Sequence, residues 1–147
     1  MQVHSSKLNW IFKYIKLNFL AHFCLAKSNE SLIVGNFLGD MMRKSEWSIL
    51  PSDIQKGVLM HLEIDSYTDS HHLVKKLKGK YLKNQGHFSG VVSDILFDYF
   101  LANNWKKYSQ IDLQEYIQYC YSTLEKHQSI FNNKGQIFNN LPENKTW

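Results

Sequence analysis

The segment Met60 to Asp69, MHLEIDSYTD, carries His61, Asp65 and Asp69 at four-residue steps. On a helix each step turns about 400° and rises about 6 Å, so an imidazole and two carboxylates stack along one face. Those donors suit a divalent cation, which takes several oxygens and tolerates imidazole nitrogen. A solvated polar face is the alternative. Leu62, Ile64 and Tyr67 lie between the three, however, so the stripe borders apolar surface. Asp94 and Asp98 form a second i, i+4 pair inside an apolar helical pattern. Two like charges so placed repel each other and call for a compensating cation. Asp40 sits among Ile33, Val34, Phe37, Leu38, Met41 and Met42. Burying it unpaired would be costly, and a cation would remove that cost, unless Asp40 simply starts the polar end of its helix. His22 lies inside the apolar run Leu17 to Ala26, as a core histidine or as a further ligand.

The elements that must position these residues read as helices. A chain of 147 residues supports one domain with a sizeable core. Hydrophobic residues make up 44% and charged residues 20%, a globular balance, and 7 Gly with 2 Pro leave few strand-and-turn signals. The expected fold class is all-α. Helices are expected over Leu17 to Lys27, Ser31 to Lys44, from Ser52 through the histidine and aspartate stripe, over Phe88 to Trp105, and over Leu113 to Phe131. Phe19, Ala21, Phe23 and Leu25 are dense enough to bury most of the first. Gly35 and Gly39 allow close backbone approach in the second. Ser52 is expected to cap the third with Gln55 as its box partner, and Ile54, Val58 and Leu62 to form its core stripe. Val91, Ile95, Leu96, Tyr99 and Ala102 supply the apolar spacing of the fourth. Asp112 caps the last, whose core residues are Leu113, Tyr116, Ile117, Cys120 and Leu124.

Residues 1–16, with Trp10, Phe12 and Tyr14 among lysines, form an N-terminal extension. The lysines before Leu17 imitate a secretory signal, but Asn18 and His22 interrupt the apolar run, which is too short for a membrane span. Cys24 and Cys120 lack CxxC spacing and read as reduced, buried thiols. Localisation is expected to be cytoplasmic. The formal charge of +4 favours an acidic partner. Lys75, Lys76, Lys78, Lys80 and Lys83 form a basic run without an acidic residue beside the aspartate stripe, either a solvated face or a surface that steers an anionic partner. With only Tyr81 among them they lack the aromatic platform of a single-strand nucleic-acid binder.

Taken together, LNFLAHFCLA (Leu17 to Ala26), VGNFLGD (Val34 to Asp40), LPSDIQKGVLMHLEIDSYTD (Leu50 to Asp69) and DILFDYFLANNW (Asp94 to Trp105) resemble the acyl carrier protein phosphodiesterase family. The resemblance covers residues 17–147 and implies a single helical domain of HD-phosphohydrolase-like architecture. It implies a divalent metal, manganese first with magnesium or iron(II) as alternatives. The reaction implied is hydrolysis of holo-acyl carrier protein to the apo form and 4'-phosphopantetheine. The family's NFLAH histidine falls on His22, its GNxxxD aspartate on Asp40, its HxxxDxxTD element on His61, Asp65 and Asp69, and its DxxxD pair on Asp94 and Asp98. Asp40, His22 and His61 become the catalytic candidates. Asp40, His61, Asp65, Asp69, Asp94 and Asp98 become the metal candidates, with His22 or His61 as ligand or general acid. The partner implied is an acidic carrier protein met by the lysine run, with no nucleic acid and no membrane. Tyr99 stands where the family commonly has a histidine, and the chain reads as shortened at its C-terminus. Two other readings follow: a related phosphohydrolase acting on a nucleotide or small phosphodiester, and an inactive short form that only binds carrier protein.

Overall fold

Glycine at positions 35 and 39, and again at 57, strips the side chains from one turn-spaced edge of each of two helices. In the computed structural model, which describes residues 19–132, those edges meet. Helix α2 (Glu30–Met41) and helix α3 (Ser52–Ser70) cross where Gly35 lies against Gly57. A Cβ on Gly35 would stand 2.2 Å from the Ile54 carbonyl oxygen and 2.5 Å from Gly57 Cα. One turn on, Gly39 lies against the ring of His61.

Around this crossing run α1 (Leu20–Ala26), α4 (His72–Lys76), α5 (Ser89–Asn103), α6 (Leu113–Lys126) and α7 (Gln128–Asn132). Short turns of tighter or wider helix link them at Lys44–Ile49, Leu77–Tyr81, Lys83–Phe88 and Trp105–Lys107. All regular structure among the described residues is helical, so the all-α expectation holds. The core joins Phe19 and Phe23 of the α1 region to Ile33, Val34, Phe37 and Leu38 of α2, Ile54 and Val58 of α3, and Tyr116, Cys120 and Leu124 of α6. Phe19 packs on Phe23 and Phe37 at ring separations of 5.6 and 5.5 Å. The Trp105 indole N–H donates to the Ile111 carbonyl at 2.8 Å and ties the α5–α6 connection.

Several expectations need correction. Ser52 is the first residue of α3 rather than its cap, because Pro51 takes the cap position, and the Gln55 side chain donates to the Leu50 carbonyl instead of closing a box. Leu62 and Leu25 are exposed, at 39% and 55%, since each lies just off its helix's inward arc. Helix α2 stops at Met41, where Met42 turns extended, so Asp40 is exposed rather than enclosed by its apolar neighbours. Helix α3 ends where extended His71 accepts from the Leu73 N–H and starts α4. The apolar spacing of α5 is not its buried face: Val91, Ile95 and Tyr99 are exposed, while Ser93 and Asp98 are buried. The Asp112 cap is as expected, with its carboxylate accepting from the Gln114 and Glu115 N–H groups. Cys24 and Cys120 are free thiols; Cys120 is buried and Cys24 partly so. No helix among the described residues is long and apolar enough to cross a membrane. The N-terminal extension and the segment after residue 132 lie outside the described residues.

Exchanging glycine for alanine on an open helix face stabilises by up to about 1 kcal/mol. At Gly35 the neighbouring atoms are backbone and cannot rotate aside. Gly35→Ala should therefore lower the unfolding free energy by about 2 kcal/mol or more in urea titration. Gly79→Ala, with nothing within 4 Å of the added methyl, should change it by less than about 1 kcal/mol. Equal transition midpoints for the two variants would remove the crossing from its central place.

Candidate metal centre

The site begins with α1, too short at seven residues to be stable by itself. Both ends are held from other helices. At the N-terminus both oxygens of Asp98 accept backbone N–H groups, from Leu20 at 2.8 Å and Ala21 at 2.8 Å. A carboxylate there satisfies two of the helix's free donors and sits favourably in its dipole. At the other end the Tyr116 hydroxyl lies between the Phe23 and Lys27 carbonyls, and the Tyr119 hydroxyl donates to the Ser28 carbonyl at 2.8 Å. His22, between the clamps, is thereby aimed at α3.

There it meets His61 and Asp65. His22 Nε2 stands 3.3 Å from one oxygen of Asp65, and His61 Nε2 stands 3.2 Å from the other. The two rings stack with centroids 4.4 Å apart. Asn36 of α2, fully buried, places its side-chain oxygen 3.2 Å from His22 Nδ1. Beside this cluster opens a pocket of about 120 Å³ lined by His22, Asp65, Thr68, Asp69, Lys78, Asp94, Phe97 and Asp98, among others. Lys78 reaches in from the turn after α4 and pairs with Asp69 at 2.6 Å.

The protonation states show a surplus of negative charge. Burial alone would raise the Asp65 carboxyl, but hydrogen bonds from His22 and His61 and their positive charge hold it well below the usual carboxylate range. Burial works against the His22 imidazolium, yet the hydrogen bond and charge of Asp65 outweigh it and raise the ring above its ordinary value. Asp94, exposed at the pocket's lip, is pushed up to about 6, first by desolvation and then by the charge of Asp65. Asp98 is raised by burial against the two backbone N–H groups that favour its charge.

This donor set fits a divalent ion. One ligand atom from each of His22, His61 and Asp65 lies within 4.8 Å of the other two. Ligands about 2.1 Å from an ion and at right angles stand about 3 Å apart, close to the separations already present. Of the residues singled out by spacing, the fold brings His22, His61, Asp65, Asp69, Asp94 and Asp98 to one place. It does not bring Asp40, which is exposed at the end of α2 and absent from the pocket wall. Of the lysine run only Lys78 lines the pocket; Lys75, Lys76, Lys80 and Lys83 are exposed on the same segment. Sequence reasoning passed over Asn36, although an amide inside the apolar run Ile33 to Leu38 was a visible signal. It also missed that Asp98 spends both oxygens on α1, which no spacing along α5 reveals.

Against known proteins, the sequence profile described as acyl carrier protein phosphodiesterase matches residues 17–147. The acyl carrier protein phosphodiesterase of Enterobacter sp. (strain 638) is 33% identical over 107 residues, which cover 72% of this chain and 55% of that protein. That of Yersinia pestis is 32% identical over 112 residues, 76% of this chain and 58% of the relative. That of Photorhabdus laumondii is 30% identical over 132 residues, 89% and 67% respectively. The chain thus spans somewhat more than half the length of the first two. No solved structure matches.

In the folded chain Asp94 keeps its proton up to about pH 6, whereas an unfolded aspartate loses it near pH 4, about two units lower. The metal-free protein therefore has this stabilisation in full below about pH 4 and loses it as pH rises through about 6. Asp94→Asn should raise the metal-free melting temperature above pH 6 and leave it unchanged below about pH 4. Manganese at neutral pH should raise the wild-type melting temperature more than that of the variant. A uniform shift at every pH would mean that Asp94 is not charged against Asp65.

Proposed function

This chain belongs to the acyl carrier protein phosphodiesterase family, and from that premise we propose that it is a metal-dependent hydrolase of holo-acyl carrier protein. The observation that carries the reading is the meeting of His22, His61 and Asp65 beside a pocket that Asp94 and Lys78 also line. In the reaction a water oxygen bonds to phosphorus and the bond from phosphorus to the serine oxygen breaks. One proton of the water ends on that serine, leaving apo-acyl carrier protein and 4'-phosphopantetheine.

Asp65 and Asp94, mutually repulsive across the pocket, are the carboxylates that would hold the cation, together with His22. A divalent cation held there, manganese in the first instance, would lower the pKa of a water and offset charge on the phosphoryl oxygens. Lys78, paired with Asp69 in the pocket, would face the same phosphoryl charge. Exposed Lys75, Lys76, Lys80 and Lys83 flank it, so an acidic carrier protein that docked on them would bring its phosphodiester toward Lys78. Asp40, outside the pocket, is assigned no part in holding the cation.

The exposed lysines Lys75, Lys76, Lys80 and Lys83 support a second reading, a protein that binds carrier protein without turnover. Mass spectrometry of holo-acyl carrier protein incubated with the protein and manganese separates the two. Loss of the phosphopantetheine mass is expected with wild type, and a rate at least about 100-fold lower with Asp65→Asn. Salt-sensitive co-elution with an unchanged mass would establish the non-catalytic form.

A further inference from the structure

Two imidazoles, His22 from the pocket wall and His61 behind it, reach the same carboxylate, but their other nitrogens lie in opposite surroundings. His22 Nδ1 faces the side-chain oxygen of Asn36 at 3.2 Å. The orientation of that amide is settled, because its nitrogen donates to the Leu32 carbonyl at 3.0 Å, and a flip would set oxygen against oxygen. An amide oxygen only accepts, so Nδ1 of His22 must carry a proton. Its Nε2 is then bare whenever the ring is neutral, and faces an Asp65 oxygen 3.3 Å away as one acceptor against another. Only a proton or a cation between them relieves that contact.

His61 is the reverse case. Its Nδ1 is buried and has no hydrogen-bond partner among the described residues, and its ring lies against the bare face of Gly39. A proton on Nδ1 would be a buried donor without an acceptor, and would also leave Nε2 bare against the second Asp65 oxygen at 3.2 Å. A proton on Nε2 removes both costs, because it is donated to a carboxylate.

We propose that the two histidines are held in opposite tautomers, His22 by the Asn36 oxygen and His61 by the lack of any acceptor at its buried Nδ1, so that His22 offers a bare Nε2 to the pocket and His61 donates its Nε2 proton to Asp65. Asn36 is then a positioning residue acting through His22, and His61 one acting through Asp65. The roles of the two imidazoles, which spacing leaves interchangeable, are separated. His61 drops out of the ligand set, since ligation through Nε2 would move its proton to the unpartnered Nδ1. The consequence for metal binding rests on the cation reading given above; the tautomers do not.

The test uses the full chain, labelled with nitrogen-15 and stripped of metal, with spectra followed upward in pH until the ring nitrogens report the neutral forms. Long-range proton–nitrogen correlation spectra, assigned with His22→Gln and His61→Gln, should show protonated Nδ1 in His22 and protonated Nε2 in His61. The same tautomer in both rings overturns the proposal. Manganese titration supplies the second arm. Asn36→Leu should weaken binding by about 10- to 100-fold. Because glutamine keeps an N–H donor near the position of Nε2, His61→Gln should weaken it by less than about tenfold and His22→Gln by far more. Equal losses in the two folded glutamine variants also overturn it. Should Asn36→Leu not fold, the wild-type spectrum still decides. Opposite tautomers in a wild type that binds no manganese would sustain the proposal and reject the cation reading.

Discussion

The backbone contact between Gly35 and Gly57 is the constraint on which the site depends. Two helices can approach this closely only where neither carries a Cβ, and here the approach leaves no room for one. The same register sets Gly39 against His61 one turn later. Asn36, next to Gly35, is carried into the interior by the same crossing and reaches His22 on a third helix. Packing and chemistry thus share one interface: the face that lets α2 and α3 close also orients an imidazole from each side.

The second organising feature is the double clamp on α1. A helix of two turns has little stability of its own, and most of its backbone donors and acceptors lie at an end. Asp98 takes the donors at one end, and Tyr116 and Tyr119 take acceptors at the other. The buried carboxylate is tolerable because it meets two N–H groups and the positive end of a helix dipole. Loss of that partnership would release His22 from Asp65 without touching either residue, which couples the α5 surface to the pocket through a single side chain.

Electrostatics complete the picture. Asp65 is held in its charged form by two imidazoles, and that charge, after desolvation, helps to push Asp94 toward neutrality. One pocket therefore contains a carboxylate that resists protonation beside one that invites it. Lys78 offsets part of the imbalance through Asp69, while its neighbours on the same segment remain in solvent. The remaining charge, and the lone-pair conflict that a neutral His22 has with Asp65 at Nε2, both support the proposed divalent cation.

The sequence by itself determined the helical class, the stripe of His61, Asp65 and Asp69, the close-approach glycines, the Asp112 cap and the family. These are local properties: a period of 3.6 residues, a side chain too small to separate two helices, a donor three residues from its acceptor. Only the tertiary structure decided which marked residues meet. Asp98 looked like half of a metal-binding pair, and became the cap of another helix because α1 ends against it. Helix α5 turns Asp98 inward for that reason, leaving exposed Val91, Ile95 and Tyr99 of the apolar stripe that its spacing suggested for the core. Asp40 stayed outside because it lies on the outer side of the last turn of α2, whose inner side holds Leu38 and Met42 in the core. Asn36, one polar residue in an apolar run, acquired its role from His22, fourteen residues away in sequence. Spacing along a helix fixes the face a residue shares with its neighbours, whereas the face that another helix covers depends on contacts between segments far apart in the chain.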